Sequence, residues 1–114
     1  MFEVRAEPAD DGAVVIWVAG EVDLTVSGAL ERALLDATTT SARAIVVDLG
    51  GLRFLDSSGV HALVKGYLAA RDAGLVYTVR RAIGMVARVL TITGVAEALG
   101  MPEGAVADEY PKGA

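Results

Sequence analysis

The stretch that most constrains the fold is "AIVVDLGGLRFLDSSGVHALV", Ala44 to Val64, because the spacing of its apolar residues changes once along its length. The run "ARAIVVDLGG" is continuously apolar, as expected for a strand buried on both faces of a sheet, and "LRFL" continues it in strand-like fashion. Beyond Asp56-Ser57-Ser58-Gly59 the period becomes helical. Val60, Leu63, Val64, Tyr67, Leu68 and Arg71 share one face, and Ser58, Ala62, Lys65, Gly66 and Ala69 the other. "DAG" at 72–74 stops the helix with a glycine. A strand that runs through a short polar junction into a helix is half of a βαβ unit, and it commits the chain to the α/β class.

The flanking segments extend that pattern. "FEVRAEP" alternates apolar and polar residues, "PADDG" is turn material and "GAVVIWVAG" is β-rich, so Phe2–Glu7 and Ala13–Ala19 read as a hairpin. After "GEVD", Val26, Leu30, Ala33, Leu34 and Ala37 keep helical spacing. "LVYTVR" predicts a further strand, "AIGMVARVLTITG" a helix apolar on nearly all sides, and "VAEALGMP" a turn or two more. The order β-β-α-β-α-β-α gives a single α/β domain, with a four- or five-stranded mixed sheet packed with about three to four helices. Its core spans about residues 2–99, and 100–114 are expected to form a loose tail.

Composition narrows the function classes. The 114 residues suit one domain, and 54% hydrophobic against 22% charged residues excludes a disordered chain. The net charge of −5 argues against direct nucleic-acid binding and points to a neutral or basic partner surface. There is no cysteine, so neither a disulfide framework nor a thiolate metal site is available. The apolar runs fall short of the ~20 residues that span a bilayer, and charges interrupt the first 20 positions. The expectation is a soluble cytoplasmic protein that holds no metal and no cofactor.

"DSSG" admits three chemical readings. Asp and Ser are favoured N-caps, so a cap alone accounts for the segment at a strand-to-helix junction. Asp56, Ser57 and His61 contain the residue types of a nucleophilic triad, with Ser57 and His61 at i, i+4. However, Asp56 adjoins the nucleophile instead of orienting the base, and no G-x-S-x-G elbow is present, so no enzyme activity is expected. In the third reading Ser57 is modifiable: a phosphoryl group would meet the free amides and positive dipole end of the helix N-terminus. It would also bring about −2 charge beside Asp56, repelling a docked partner.

"GEVDLTVSGALERAL", "AIVVDLGGLRFLDSSGVHALV", "AARDAGLVYTV" and "VARVLTITGV" stand in the order and spacing of the STAS domain. From Val14 to about Leu99 the chain resembles the small bacterial anti-sigma factor antagonists of that family. The resemblance implies that the unphosphorylated protein binds an anti-sigma factor that is also a serine kinase, and so releases a sigma factor. The kinase would phosphorylate Ser57, the serine after the motif aspartate, and the modified antagonist would dissociate. A PP2C-type serine phosphatase would restore it, while ATP and Mg²⁺ would belong to the kinase.

The resemblance also implies partner-binding roles for Asp23, Asp56, Ser57, Ser58 and Gly59, and His61, a departure from the family pattern, is expected to join them at the docking surface. Asp23 would lie near the same sheet edge and either help form the docking surface or cap the next helix. Asp56 would orient Ser57 or contact the kinase, and Ser58 would cap the helix or modulate Ser57. Gly59 would admit a partner backbone or serve as a small first-turn residue. Three departures from the family pattern stand out. His61 replaces a small or apolar residue, "VRRAIG" replaces the usual polar turn, and the C-terminus lacks a final amphipathic helix. The last would leave Met85, Val89 and Ile92 less covered and favour weak self-association or a partner there. The alternative function is a STAS binding subunit of a stress-sensing or lipid-transport complex, not switched by phosphorylation.

Overall fold

The computed structural model describes residues 1–99 and 106–107. β1 (Phe2–Pro8) and β2 (Ala13–Val22) form an antiparallel hairpin, and α1 (Ser27–Ala37) crosses to β3 (Ala44–Leu55). α2 (Ser57–Asp72) then leads to β4 (Val76–Arg80). The sheet order is β1-β2-β3-β4, with β2, β3 and β4 parallel, so the expected mixed four-stranded sheet is present. Next come β5 (Ala82–Ile83), α3 (Gly84–Ile92), the single turn α4 (Val95–Ala98) and β6 (Val106–Ala107).

Two corrections concern the C-terminal third. The helix read from Ala82 begins only at Gly84, because Arg81 adopts φ 61 and Ile83 remains extended. Ala82–Ile83 instead pair in parallel with Val106–Ala107, as a small second sheet. That pairing falls inside the stretch expected to be a loose tail; the rest of the tail lies outside the described residues. Of the α3 residues expected to be poorly covered, Met85 and Ile92 are exposed, whereas Val89 packs against the core.

One face of the sheet carries the core. Ile16, Val18, Ile45, Val47 and Val79 are fully buried beneath α1 and α2, together with Leu30, Leu34 and Leu63 of those helices. α2 lies beside α1 on the sheet and packs against both, which corrects the two-face reading of its sequence. Ala62 and Gly66, assigned to the polar face, are buried, while Leu68 and Arg71, assigned to the apolar face, are exposed. A side chain at Gly66 would press on Leu34 and on the Tyr77 hydroxyl, each 3.0 Å from a built Cβ. That hydroxyl donates to the Leu63 carbonyl at 2.9 Å. α2 ends as its sequence implies. Gly74, at φ 75, and Leu75 donate back to the carbonyls of Arg71 and Ala70, which is a Schellman closure.

The opposite face departs from the both-faces-covered reading of β3. Val15, Trp17, Val46 and Thr78 are only half-buried, and Val76 is 64% exposed. Across this face runs one register row, Arg5–Trp17–Asp48–Arg80, one residue from each strand. The guanidiniums of Arg5 and Arg80 stack on the Trp17 ring, 5.9 and 5.5 Å from its centroid. Asp48 is the only buried charged residue among those described, and its partners explain how that is tolerated. It accepts from Arg80 Nε at 2.8 Å, from the Gly50 amide at 2.9 Å and from Arg81 Nη1 at 3.3 Å. Burial pushes its carboxyl pKa up, but the Arg80 and Gly50 bonds and the two guanidinium charges outweigh that and hold it below its ordinary value.

Candidate functional site

β2 and β3 end at the same level. Val22 is the register partner of Leu55, and the Asp56 amide donates to the Val22 carbonyl at 3.2 Å. The residues after these pairs, Asp23 and Asp56, therefore leave the carboxyl edge of the sheet side by side. In open α/β sheets this edge is where binding sites collect, because the loops beyond it are not committed to the ladder.

Asp56 is the N-cap of α2. With extended backbone (φ −101, ψ −173), its Oδ1 accepts from the amides of Ser58 at 3.0 Å and Gly59 at 3.3 Å. The same oxygen accepts the Ser58 hydroxyl at 2.5 Å. Three donors thus hold the carboxylate inward, over the first turn. Of the two hydroxyls in the motif, the one on Ser58 is consumed. Ser57, the first helical residue, is exposed, and its hydroxyl forms no hydrogen bond among the described residues. His61 is exposed one turn further along, the i, i+4 spacing that places two side chains about 5–6 Å apart at Cβ.

This geometry corrects one sequence expectation. A phosphoryl group on Ser57 would not find the Ser58 and Gly59 amides free, since Asp56 already occupies them. The helix dipole would still favour an anion there. The nearest carboxylate, however, is fixed in place and would add repulsion instead of turning away. The same fixed carboxylate is directed at the helix amides and the Ser58 hydroxyl, so it does not orient His61 as a triad acid would.

The remaining site residues divide clearly. Gly59 is buried, and the close approach it allows is internal: a Cβ there would run into Leu55 Cδ1 and lie 2.8 Å from Val22 Cγ1. It therefore seats α2 on the strand ends and does not admit a partner backbone. Asp23 accepts from the Thr25 amide at 2.9 Å and from the Thr25 hydroxyl at 2.5 Å, forming a tight turn. The hydroxyl bond, followed by the amide bond, holds its carboxyl below the ordinary value. Val26 stands at the N-cap of α1 and no side chain caps the helix, so Asp23 does not cap it. Asp23 is instead an exposed, pre-ordered carboxylate.

Two exposed apolar residues of the same strand ends are not singled out by the sequence. Leu24, 78% exposed, follows Asp23, and Phe54 lies opposite Glu21 at the end of β3. Leu24 carries a signal, since it falls outside the apolar stripe of α1. Phe54 is concealed within an apolar run.

A family model described as "Mlab, STAS domain" matches residues 6–102. The chain belongs to the STAS domain family. Its STAS fold is similar to the crystal structure of an anti-sigma factor antagonist from Mycobacterium paratuberculosis. The TM-score is 0.74 at 28% identity, over 90% of this chain and 86% of that one. The fold is also that of the Bacillus cell fate determinant SpoIIAA in its phosphorylated form, with TM-score 0.68 and 18% identity over 96% and 94% of the two chains. In sequence it is similar to the anti-sigma-F factor antagonist RsfB of Mycobacterium tuberculosis, 36% identical over 53 residues. That match spans 46% of this STAS chain and 43% of the relative's length. No helix among the described residues is long and apolar enough to cross a membrane.

Proposed function

We propose that this protein is an anti-sigma factor antagonist switched at Ser57. The observation that carries the reading is the contrast between the two motif serines. Ser57, directly after the ordered Asp56 carboxylate, presents an exposed hydroxyl with no hydrogen bond among the described residues, whereas the Ser58 hydroxyl is bound to Asp56. Unphosphorylated, the edge formed by Leu24, Phe54, Ser57 and His61 offers apolar area and hydroxyl contacts to an anti-sigma factor, whose sequestered sigma factor is then released. Asp23 contributes charge that suits a neutral or basic partner. Phosphorylation by that partner, acting as a serine kinase, adds about two negative charges next to Asp23 and Asp56. Repulsion and bulk then break the docking with little change in the fold. The protein performs no catalysis itself, acts in the cytoplasm, and is reset by a PP2C-type serine phosphatase.

The test mixes the purified protein with candidate anti-sigma kinases, ATP and Mg²⁺, and maps the product by mass spectrometry. Phosphate is expected on Ser57 alone, in wild type and in Ser58→Ala, and absent from Ser57→Ala. Modification at Ser58, or none with any kinase that binds the protein, would overturn the reading. In the latter case, unaltered function of Ser57→Ala would identify a constitutive STAS binding subunit.

A further inference from the structure

We infer that His61 is the partner of the phosphate on Ser57: its imidazolium pairs with the phosphoserine across one helical turn, and the strength of the switch is set by pH. The inference rests on Ser57 being the modified residue, as proposed above, and concerns what the modified side chain touches.

The capping geometry creates the need for such a partner. A phosphate at the first residue of a helix ordinarily takes the free amides of that turn. Here Asp56 Oδ1 already holds the Ser58 and Gly59 amides at 3.0 and 3.3 Å, and the Ser58 hydroxyl as well. A counter-charge for the phosphate must therefore come from a side chain.

The line of residues along α2 supplies one. Ser57, His61 and Lys65 are all exposed and follow one another at i, i+4 and i+8. Side chains at the first of these spacings stand about 5–6 Å apart at Cβ. Helical side chains lean back toward the N-terminus, so the imidazole reaches over the turn that carries Ser57. A phosphoryl group lengthens the serine side chain toward it, within range of a charge-assisted hydrogen bond. No other cationic residue of α2 lies within a turn of Ser57. Lys65 is a turn further on and paired with Glu31 of α1 at 3.6 Å; Arg53 of β3 is paired with Glu21 at 3.9 Å.

The surrounding charges fix the sign of the pH dependence. Imidazoles change charge between about pH 5 and 8, and the second ionisation of a phosphoserine falls near pH 6. Each charge favours the other, so pairing draws the phosphate ionisation down. Asp23 and Asp56, which follow β2 and β3, favour the imidazolium and oppose the dianion. Lys65 opposes the imidazolium and is offset by Glu31, while Arg32 lies exposed beside Glu31 on α1. β4 brings only Tyr77, whose hydroxyl is bound to the Leu63 carbonyl. The helix dipole disfavours a cation only within the first turn, and His61 stands beyond it. As pH rises toward 8 the imidazole loses its proton, and the dianion is left uncompensated beside Asp56. The phosphorylated protein therefore repels an anti-sigma factor more strongly at pH 8 than at pH 6.

The test places phosphoserine at position 57 of the full chain during synthesis, so that no kinase is needed, and follows its phosphorus NMR signal against pH. The wild-type midpoint is expected about 0.3 of a pH unit below that of His61→Gln, the size that an exposed pair at this spacing gives. The difference is expected to vanish in strong urea, where the helical spacing is lost, and to shrink in about 1 M salt. His61→Lys, whose charge is permanent, is expected to keep the low midpoint. Equal midpoints in wild type and His61→Gln would overturn the inference. So would a low midpoint that survives in His61→Gln and disappears in Lys65→Gln, which would make Lys65 the partner. With an anti-sigma factor that binds the unmodified protein, the loss of affinity on modification is expected to be about twofold greater at pH 8 than at pH 6 in wild type, and equal at both in His61→Lys. A wild-type loss independent of pH would overturn the pH dependence. The two readings fail separately. A kinase that binds the protein but never modifies Ser57 would sink the proposed switch without changing these midpoints, whereas equal midpoints in a protein that is modified at Ser57 sink only the pairing.

Discussion

Replacing Asp56 separates the two roles open to it, helix cap and partner contact. In Asp56→Ala three donors lose one acceptor: the Ser58 amide, the Gly59 amide and the Ser58 hydroxyl. The amides of the first turn are orphans by construction, and loss of an N-cap side chain costs about 0.5–2 kcal/mol. The value expected here lies toward the upper end, about 1.5 kcal/mol, because the site is part-buried and the hydroxyl bond is lost as well. For a domain of this size that corresponds to a fall in Tm of roughly 6–10 °C. Asp56→Asn keeps an acceptor at the same place and is expected to lose less than half as much. The assay is thermal unfolding by circular dichroism, with binding to the anti-sigma factor measured well below both midpoints. Because the carboxylate points into the helix, affinity at low temperature is expected to change less than threefold. An unchanged Tm, with affinity reduced a hundredfold, would refute the cap assignment and make Asp56 a direct contact.

Two further substitutions test the packing around the site. Gly59→Ala forces a methyl group against Leu55 and Val22, both fully buried, and is expected to destabilise by about 1–3 kcal/mol in urea titration, although alanine is the better helix former. A neutral or stabilising result would show that the strand ends have slack. Asp48 provides a pH signature. Its folded pKa lies below the ordinary 3.8, so its stabilisation is present above about pH 4 and is lost as pH falls through the folded value. Asp48→Asn is expected to lower stability at neutral pH and to flatten the acid limb of the stability profile; an acid limb as steep as wild type would contradict the assignment.

The βα unit, the order of elements as far as β4 and the two ends of α2 are legible because each is written locally, in a change of apolar period, a cap residue or a terminal glycine. Ser57 is legible for the same reason, since it sits one residue after a cap. Features that depend on what lies across space are not. The row Arg5–Trp17–Asp48–Arg80 joins four strands, and nothing near Asp48 in the sequence announces that it is buried and paired. Gly59 and Gly66 read as small surface residues, yet each is fixed by a side chain from another element, Leu55 in one case and Leu34 in the other. β5 reads as the start of a helix because its partner, Val106–Ala107, is over twenty residues away and carries no strand signal of its own.

The central claim is that Ser57 alone carries the switch. The most direct measurement compares the affinity of the anti-sigma factor for the unmodified protein and for protein stoichiometrically phosphorylated at Ser57, with Ser57→Ala carried through the same kinase reaction. Phosphorylation is expected to weaken binding at least a hundredfold at moderate salt, while Ser57→Ala should bind as tightly before the reaction as after it. Equal affinity of the phosphorylated and unmodified forms would contradict the account.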